Sequence, residues 1–426
     1  MQKNLVFLSI LLLGSQLLAT NLDELVQSGL KHNSLMQKGD LQIELMEMKQ
    51  AESQAKRFGE LDVVGTYTHY NLPRTLAPIV PSALSPTSAV DTTQDLFSTG
   101  IQYSVPLFTG GALEQQVEID NLLTQMGQSK KRLSREELIY NIRSLYLSAL
   151  SLQELQNSQE GYVSALEDLK EKIAYGVDFG KKARIELIKA NNDLVQAIGT
   201  VAKTKSSLKM LKSSLSALTH YGNIKHLEPT SESLTPNTIS TSLENLERFK
   251  LQNLEIAKGN KLIKKVEASK KPQVALNAYA GLNYDFDNLS PIENESLWQV
   301  AVNVKWNLHD FGATSARVQQ AKIAQLQAIS QKETTNEGFK KLLAQAKNKI
   351  ETAVANNETT QSQYALLQES EIIEQARYDA GVATLNDLLL AKSKTELAKS
   401  QMIQSKYAYQ NGIFYLDYLL ERGVSN

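Results

Sequence analysis

The sequence predicts a mainly α-helical protein with transmembrane β-strands, built from one helix–strand–strand–helix repeat used twice. Three observations carry this reading. Two strand-to-helix corners, V-P-L-F-T-G-G at 105–111 and W-N-L-H-D-F-G at 306–312, set Gly111 and Gly312 201 residues apart (312 less 111). Four segments alternate polar and apolar residues over the roughly 9–11 residues a tilted strand needs to cross a bilayer. Four long proline-free segments step their apolar residues by three and four, the rhythm of coiled-coil helices.

The chain starts with Lys3, an apolar run over 5–13 and small residues near Ala19, the pattern of an export signal over 1–19. No other apolar run matches it, and this one is too short to span a bilayer as a helix. With no cysteine, disulfides and an N-terminal lipid anchor on Cys are both excluded. Membrane insertion of the mature chain therefore falls to strands. With 45 basic and 46 acidic residues, the charge balance offers no signal for nucleic acid.

Prolines divide the chain. Pro73, Pro78, Pro81 and Pro86 share one loop, Pro106 ends a strand, and Pro229 and Pro236 lie in a polar linker at 221–241. Pro272 joins a helix to a strand, and Pro291 lies in a second loop. Segments 112–175, 185–219, 313–378 and 386–420 contain none. Since proline costs about 3 kcal/mol inside a helix, all four are free to be helical. Leu138, Ile142, Leu145, Ala149 and Leu152 form one seam, and Phe339, Leu343, Ala346, Ile350 and Ala353 its counterpart. At about 1.5 Å per residue the two longest helices would run roughly 95–100 Å. Each is matched by two shorter helical pieces: 185–219 with 242–269, and 386–420 with 22–57.

The strands read at about 61–71, 97–108, 273–286 and 297–308. Phe97, Thr99, Ile101, Tyr103, Val105 and Leu107 oppose Ser98, Gly100, Gln102 and Ser104. Val274, Leu276, Ala278, Ala280, Leu282 and Tyr284 oppose Gln273, Asn277 and Asn283. Trp298, Val300, Val302, Val304, Trp306 and Leu308 oppose Gln299, Asn303, Lys305 and Asn307, while the first strand, with Val63, Tyr67 and Tyr70, is weaker. Both tryptophans of the protein share one face. Eight residues at ~3.3 Å, tilted, give about 20 Å of height, close to the spacing of the aromatic girdles of outer-membrane barrels.

A second landmark repeats at the same offset. Gly180, Glu186, Leu187 and Ala190 match Gly381, Asp387, Leu388 and Ala391. The repeats are therefore 20–220 and 242–426, with helix tips near 176–184 and 379–385. Four strands cannot close a barrel, because unpaired backbone in lipid costs several kcal/mol per group and the smallest barrels have about eight strands. The chain should be an obligate oligomer that pools its strands.

On these residues the chain resembles the TolC family of outer-membrane efflux proteins. The resemblance rests on Pro106–Gly110–Gly111 in P-L-F-x-G-G, on L-H-D-F-G ending at Gly312, and on Y-D-A-G at 378–381 followed by Thr384, Asp387, Leu388 and Ala391. It implies a homotrimer whose twelve-strand barrel continues into a coiled-coil tunnel across the periplasm. It further implies an exit duct for a tripartite efflux pump or type I secretion system, with a periplasmic adaptor and an inner-membrane transporter as partners and outer-membrane lipid around the barrel. By position it assigns a periplasmic gate to Tyr378 and Glu186, with Thr384 beside them and Asp387 in a luminal carboxylate ring. The family's gate arginine falls on Ala383, so that link is missing or passes to Arg184, Lys181 or Lys182. Gly180, Gly381 and Arg184 mark the expected adaptor-docking tips.

An enzyme is not expected, and no cofactor or metal is implied. The histidines at 32, 69, 220, 226 and 309 are scattered without ligand spacing, and no phosphate-cradling loop or nucleophile elbow occurs. The competing reading is a soluble periplasmic coiled-coil scaffold or adaptor without a pore, which explains the heptads but not the strands.

Overall fold

The chain is described by a computed structural model over residues 20–79, 90–230, 243–285 and 294–423. The export signal, Pro81, Pro86, Pro236, Pro291 and the linker beyond 230 lie outside these residues. In order the elements are α1 (Leu22–His32), α2 (Ser34–Ala55), β1 (Glu60–Thr75), β2 (Thr92–Phe108), α3 (Ala112–Asp178), α4 (Arg184–Thr219), α5 (Glu247–Glu267), β3 (Gln273–Asp285), β4 (Asn294–Lys305), α6 (Ala313–Asp379) and α7 (Leu385–Leu419). The two long helices have 67 residues each. The chain divides into two units, each drawing on both repeats: 39–130 with 248–336, and the flanking segments.

The first of these units holds one antiparallel sheet in the order β1-β2-β3-β4. Its register places Val63, Ile101, Ala280 and Trp298 in one row, and Leu61, Tyr103, Ala278 and Val300 in the next. Val105, Leu276 and Val302 continue the same face. The opposite face carries Asp62, Gln102, Tyr279 and Gln299, then Glu60, Ser104 and Asn277. The four alternating patterns thus merge into one apolar and one polar surface, as strict period-two side-chain placement requires. β1 and β2 run longer than their apolar patterns because their polar outer ends continue the pairing, to Arg74↔Thr93 and Thr75↔Thr92.

One expectation needs correction here. β4 ends at Lys305, so Trp306 and Leu308 lie beyond it. Trp306 instead donates its indole N–H to the Lys270 carbonyl at 3.1 Å, a partner outside the strand ladder.

The two corners share a backbone. Gly110 and Gly111 have φ of 69° and 95°, and Phe311 and Gly312 have 54° and 91°. Ala112 N–H bonds to Thr109 O and Ala313 N–H to Asp310 O, again 201 residues apart. Position 110 must be glycine for a second reason. A Cβ there would lie 2.5 Å from the Ala268 carbonyl, whereas Phe311 points its ring at solvent.

In the second unit the seam residues Leu138, Ile142, Ala149, Phe339, Ala346 and Ile350 are buried. The main cluster joins α1, α3, α4 and α7 through Leu25, Ile142, Tyr146, Leu150, Leu215 and Phe414. The helix expected over 22–57 is broken at Asn33, which takes extended angles and gives its side-chain amide N–H to the Leu218 carbonyl at 2.9 Å. An asparagine that leaves the helix can satisfy its neighbours' orphan groups from its own side chain. The first ten linker residues are also docked. Ile224 and Leu227 are buried in the main cluster, Leu227 pairs with Thr20, and Gln153 bonds both Leu227 N–H and C=O. Tyr146 donates its hydroxyl to Glu228 O at 2.7 Å, and burial pushes its pKa up.

Candidate functional site

The helix tips repeat one hydrogen-bond pattern. Lys181 and Lys182 N–H both reach Gly176 O, and Val382 and Ala383 N–H both reach Arg377 O. Gly180 and Gly381 supply the positive φ, 65° and 77°, that ends each long helix. Beneath them Leu166, Ile173, Leu194, Tyr378, Leu385 and Leu388 pack into a second apolar cluster.

That cluster brings the two tips together. Tyr378 is 7% exposed, and its hydroxyl donates to Glu186 Oε2 at 3.3 Å. Of the three candidate cations, Lys182 is the one that reaches Glu186. Its Nζ lies 3.6 Å from Glu186 Oε2 and 4.0 Å from the centre of the Tyr378 ring. The Tyr378 hydroxyl first, and Glu186 second, hold the Lys182 pKa above its ordinary value. A second bridge runs from Lys189 Nζ to Asn386 Oδ1 at 3.1 Å. Arg184 begins α4 as an exposed residue and Lys181 is exposed.

Lys182 reaches the site through a gap that sequence reasoning missed. A Cβ on Gly176 would stand 2.5 Å from Lys182 Cγ and 3.2 Å from its Cβ. The lysine stem occupies the space of the missing side chain. A glycine in the last turn of α3, where a helical glycine normally costs about 1 kcal/mol against alanine, was the available signal. Gly176→Val is expected to displace Lys182 and reproduce the phenotype of its removal, read as raised ion conductance.

Thr384 is the N-cap of α7 and Asp387 closes a capping box with it. Thr384 hydroxyl and backbone N–H donate to Asp387 Oδ2 at 2.7 and 2.9 Å and hold the carboxyl below its ordinary pKa. A depressed carboxylate contributes its stability above the unfolded value, about 3.9, and loses it as pH falls through the lower folded value. Any cation block carried by Asp387 should therefore persist down to about pH 4, and Asp387→Asn should weaken it at neutral pH. A block that titrates away near pH 6 would rule Asp387 out.

The polar face of the sheet holds a feature invisible in the sequence. Gly100 and Gly281 are direct cross-strand partners, and the Tyr279 ring lies over both. On the apolar face Tyr67, Phe97 and Tyr284 form one aromatic row, with the last two rings 6.4 Å apart.

Comparison with known proteins bears on the fold. The family model of outer membrane efflux proteins matches residues 238–417. No curated protein matches the sequence. Among solved structures, the CmeC outer membrane channel of Campylobacter jejuni superposes with a TM-score of 0.78 at 17% identity, covering 94% of this chain and 86% of that one. The outer membrane protein VceC of Vibrio cholerae gives 0.75 at 15%, covering 93% and 95%. The MtrE outer membrane channel of Neisseria gonorrhoeae gives 0.75 at 15%, covering 94% and 89%. At these identities the superpositions establish the fold alone, and the family match lies within the second half of the chain. On these two findings residues 238–417 match the outer membrane efflux protein family, and the chain as a whole takes the fold of TolC-like outer membrane channels.

Proposed function

We propose that three copies of this chain pool their strands into one barrel in the outer membrane and continue as a helical tunnel through the periplasm. The assembly is the exit duct of a tripartite efflux pump or type I secretion system, and it engages a periplasmic adaptor and an inner-membrane transporter. One observation carries this reading: an apolar face spans all four strands, yet β1 and β4 are left as sheet edges. In hydrocarbon those edge groups need partners, and a neighbouring copy supplies them.

The helices support the same arrangement. α4 and α6 both expose apolar residues at matching distances from the tips. Ile198 stands 14 residues from Arg184 and Leu366 stands 13 from Asp379; Met210 and Val354 stand at 26 and 25. At about 1.5 Å per residue these pairs sit roughly 20 and 38 Å from the tips, exposed apolar side chains available to a neighbouring copy.

The outer edge of the lipid band lies at the Tyr67–Phe97–Tyr284 row, four residues along β4 beyond the Trp298 expected to mark it, and the inner edge near Trp306. Tyr284 pairs with Asn294, and from there to 306 is roughly 40 Å of chain, or about 28 Å of height at a 45° tilt, against a typical band of about 25 Å. Tyr378, Glu186 and Lys182 latch the tunnel shut, with Asp387 as its charged ring and Thr384 as the cap that orients it. The adaptor docks at the tips around Gly180, Gly381 and Arg184, where Phe179, Ile185 and Val382 are exposed and nothing crowds either glycine.

The purified protein in detergent is expected to run as a heat-modifiable trimer and to pass ions across a planar bilayer. A monomer that keeps its fold with detergent removed would instead support the pore-free scaffold.

A further inference from the structure

From Leu194 to Leu227 the chain contains no aspartate or glutamate, while Lys203, Lys205, Lys209, Lys212 and Lys225 fall within it. Four of these lysines converge. Lys205, Lys209, Lys212 and Lys225 line a cleft of about 650 Å³ between α4, Gln156 of α3 and the docked start of the linker. Among the described residues no carboxylate lines it, and Leu208, Ala217 and Ile224 contribute apolar wall. Lys212 is fixed by donating to the Lys225 carbonyl at 2.7 Å, and burial alone holds its pKa below the ordinary lysine value. A half-desolvated ammonium with only a carbonyl for a partner favours any anion that enters.

The lysines have a register. Lys205, Lys209 and Lys212 sit at i, i+4 and i+7, on one face of α4 over about 10 Å. Carboxylates with the same spacing on a second helix would meet them one to one. Such a helix can also present an apolar residue to the cleft wall, the groove-binding mode of amphipathic helices.

We propose that this cleft is a docking site for an acidic amphipathic helix of a partner protein. It is separate from the tips assigned to the adaptor and lies within one protomer.

The test uses the full-length protein in detergent and a fluorescent 21-residue helical peptide with Glu at i, i+4 and i+7 and Leu between them. Anisotropy should report saturable binding that weakens as salt is raised. Lys205→Glu with Lys209→Glu should reduce affinity by about tenfold or more. Both lysines are exposed, so the heat-modifiable oligomer should be unchanged in that variant. Equal affinity in the variant, equal affinity for a Glu→Gln peptide, or tighter binding of a polyuronate than of the peptide at matched charge would each overturn the proposal, the last in favour of a polysaccharide ligand.

Discussion

Gly100→Val is expected to abolish assembly of the barrel, leaving no heat-modifiable oligomer in the outer-membrane fraction. A Cβ at position 100 would fall 2.5 Å from the Ala280 carbonyl oxygen and 2.7 Å from Gly281 Cα. Its partner is equally closed, with a Cβ at 281 lying 2.4 Å from the Thr99 carbonyl oxygen and 2.3 Å from the Tyr279 hydroxyl. Overpacking costs about 1–3 kcal/mol when side chains can give way. Here the obstacles are backbone atoms of the adjoining strand, so relief requires breaking the β2–β3 ladder. The two repeats meet at that ladder. Gly65 is the control, since nothing lies within 4 Å of a Cβ there, and Gly65→Val should assemble normally. Normal yield of the Gly100→Val oligomer would refute the close approach.

The second large effect is expected at the tips. Lys182→Met, Glu186→Gln and Tyr378→Phe should each raise single-channel conductance, and Lys182→Met should do so although the family's arginine position, Ala383, is untouched. Each bond is partly exposed, so after solvent screening a pair contributes no more than about 1 kcal/mol. Three copies acting together make that about 3 kcal/mol, on the order of a hundredfold in the ratio of closed to open tips. Raised salt should open the wild-type channel in the same direction. Unchanged conductance in all three variants would remove the latch from the gate, as would a Lys182→Met response with Gly176→Val silent, because the lysine reaches Glu186 only over that glycine.

Much of this was legible because the chain repeats itself. The 201-residue offset read from two glycine landmarks recurs in the backbone, where corner and tip hydrogen bonds coincide pair by pair. Strand faces and helix seams followed from period two and the heptad, which depend only on local geometry. The Thr384–Asp387 capping box was readable in the same way, three residues apart at a helix start.

Other features depended on residues distant in sequence. Proline-free spacing gave no warning that Asn33 would leave its helix for the Leu218 carbonyl, 185 residues away. Ile224 and Leu227, two apolar residues in a polar stretch, became core because α3 holds this segment with Gln153 on the Leu227 backbone and Tyr146 on the Glu228 carbonyl. Trp306 continues the alternation of β4, yet pairing stops one residue earlier and its indole turns to Lys270.

By itself the sequence determined the duplication and the element types, and it raised the export signal and the pooling of strands among copies as expectations. These rest on local periodicity and on the cost of unpaired backbone in lipid. Only the tertiary structure decided which cation meets Glu186, which glycines a tyrosine covers, and where four lysines share a cleft. Those outcomes turn on separations of a few ångströms between segments far apart in the chain, a scale on which neighbouring lysines in a sequence are indistinguishable until the backbone aims them.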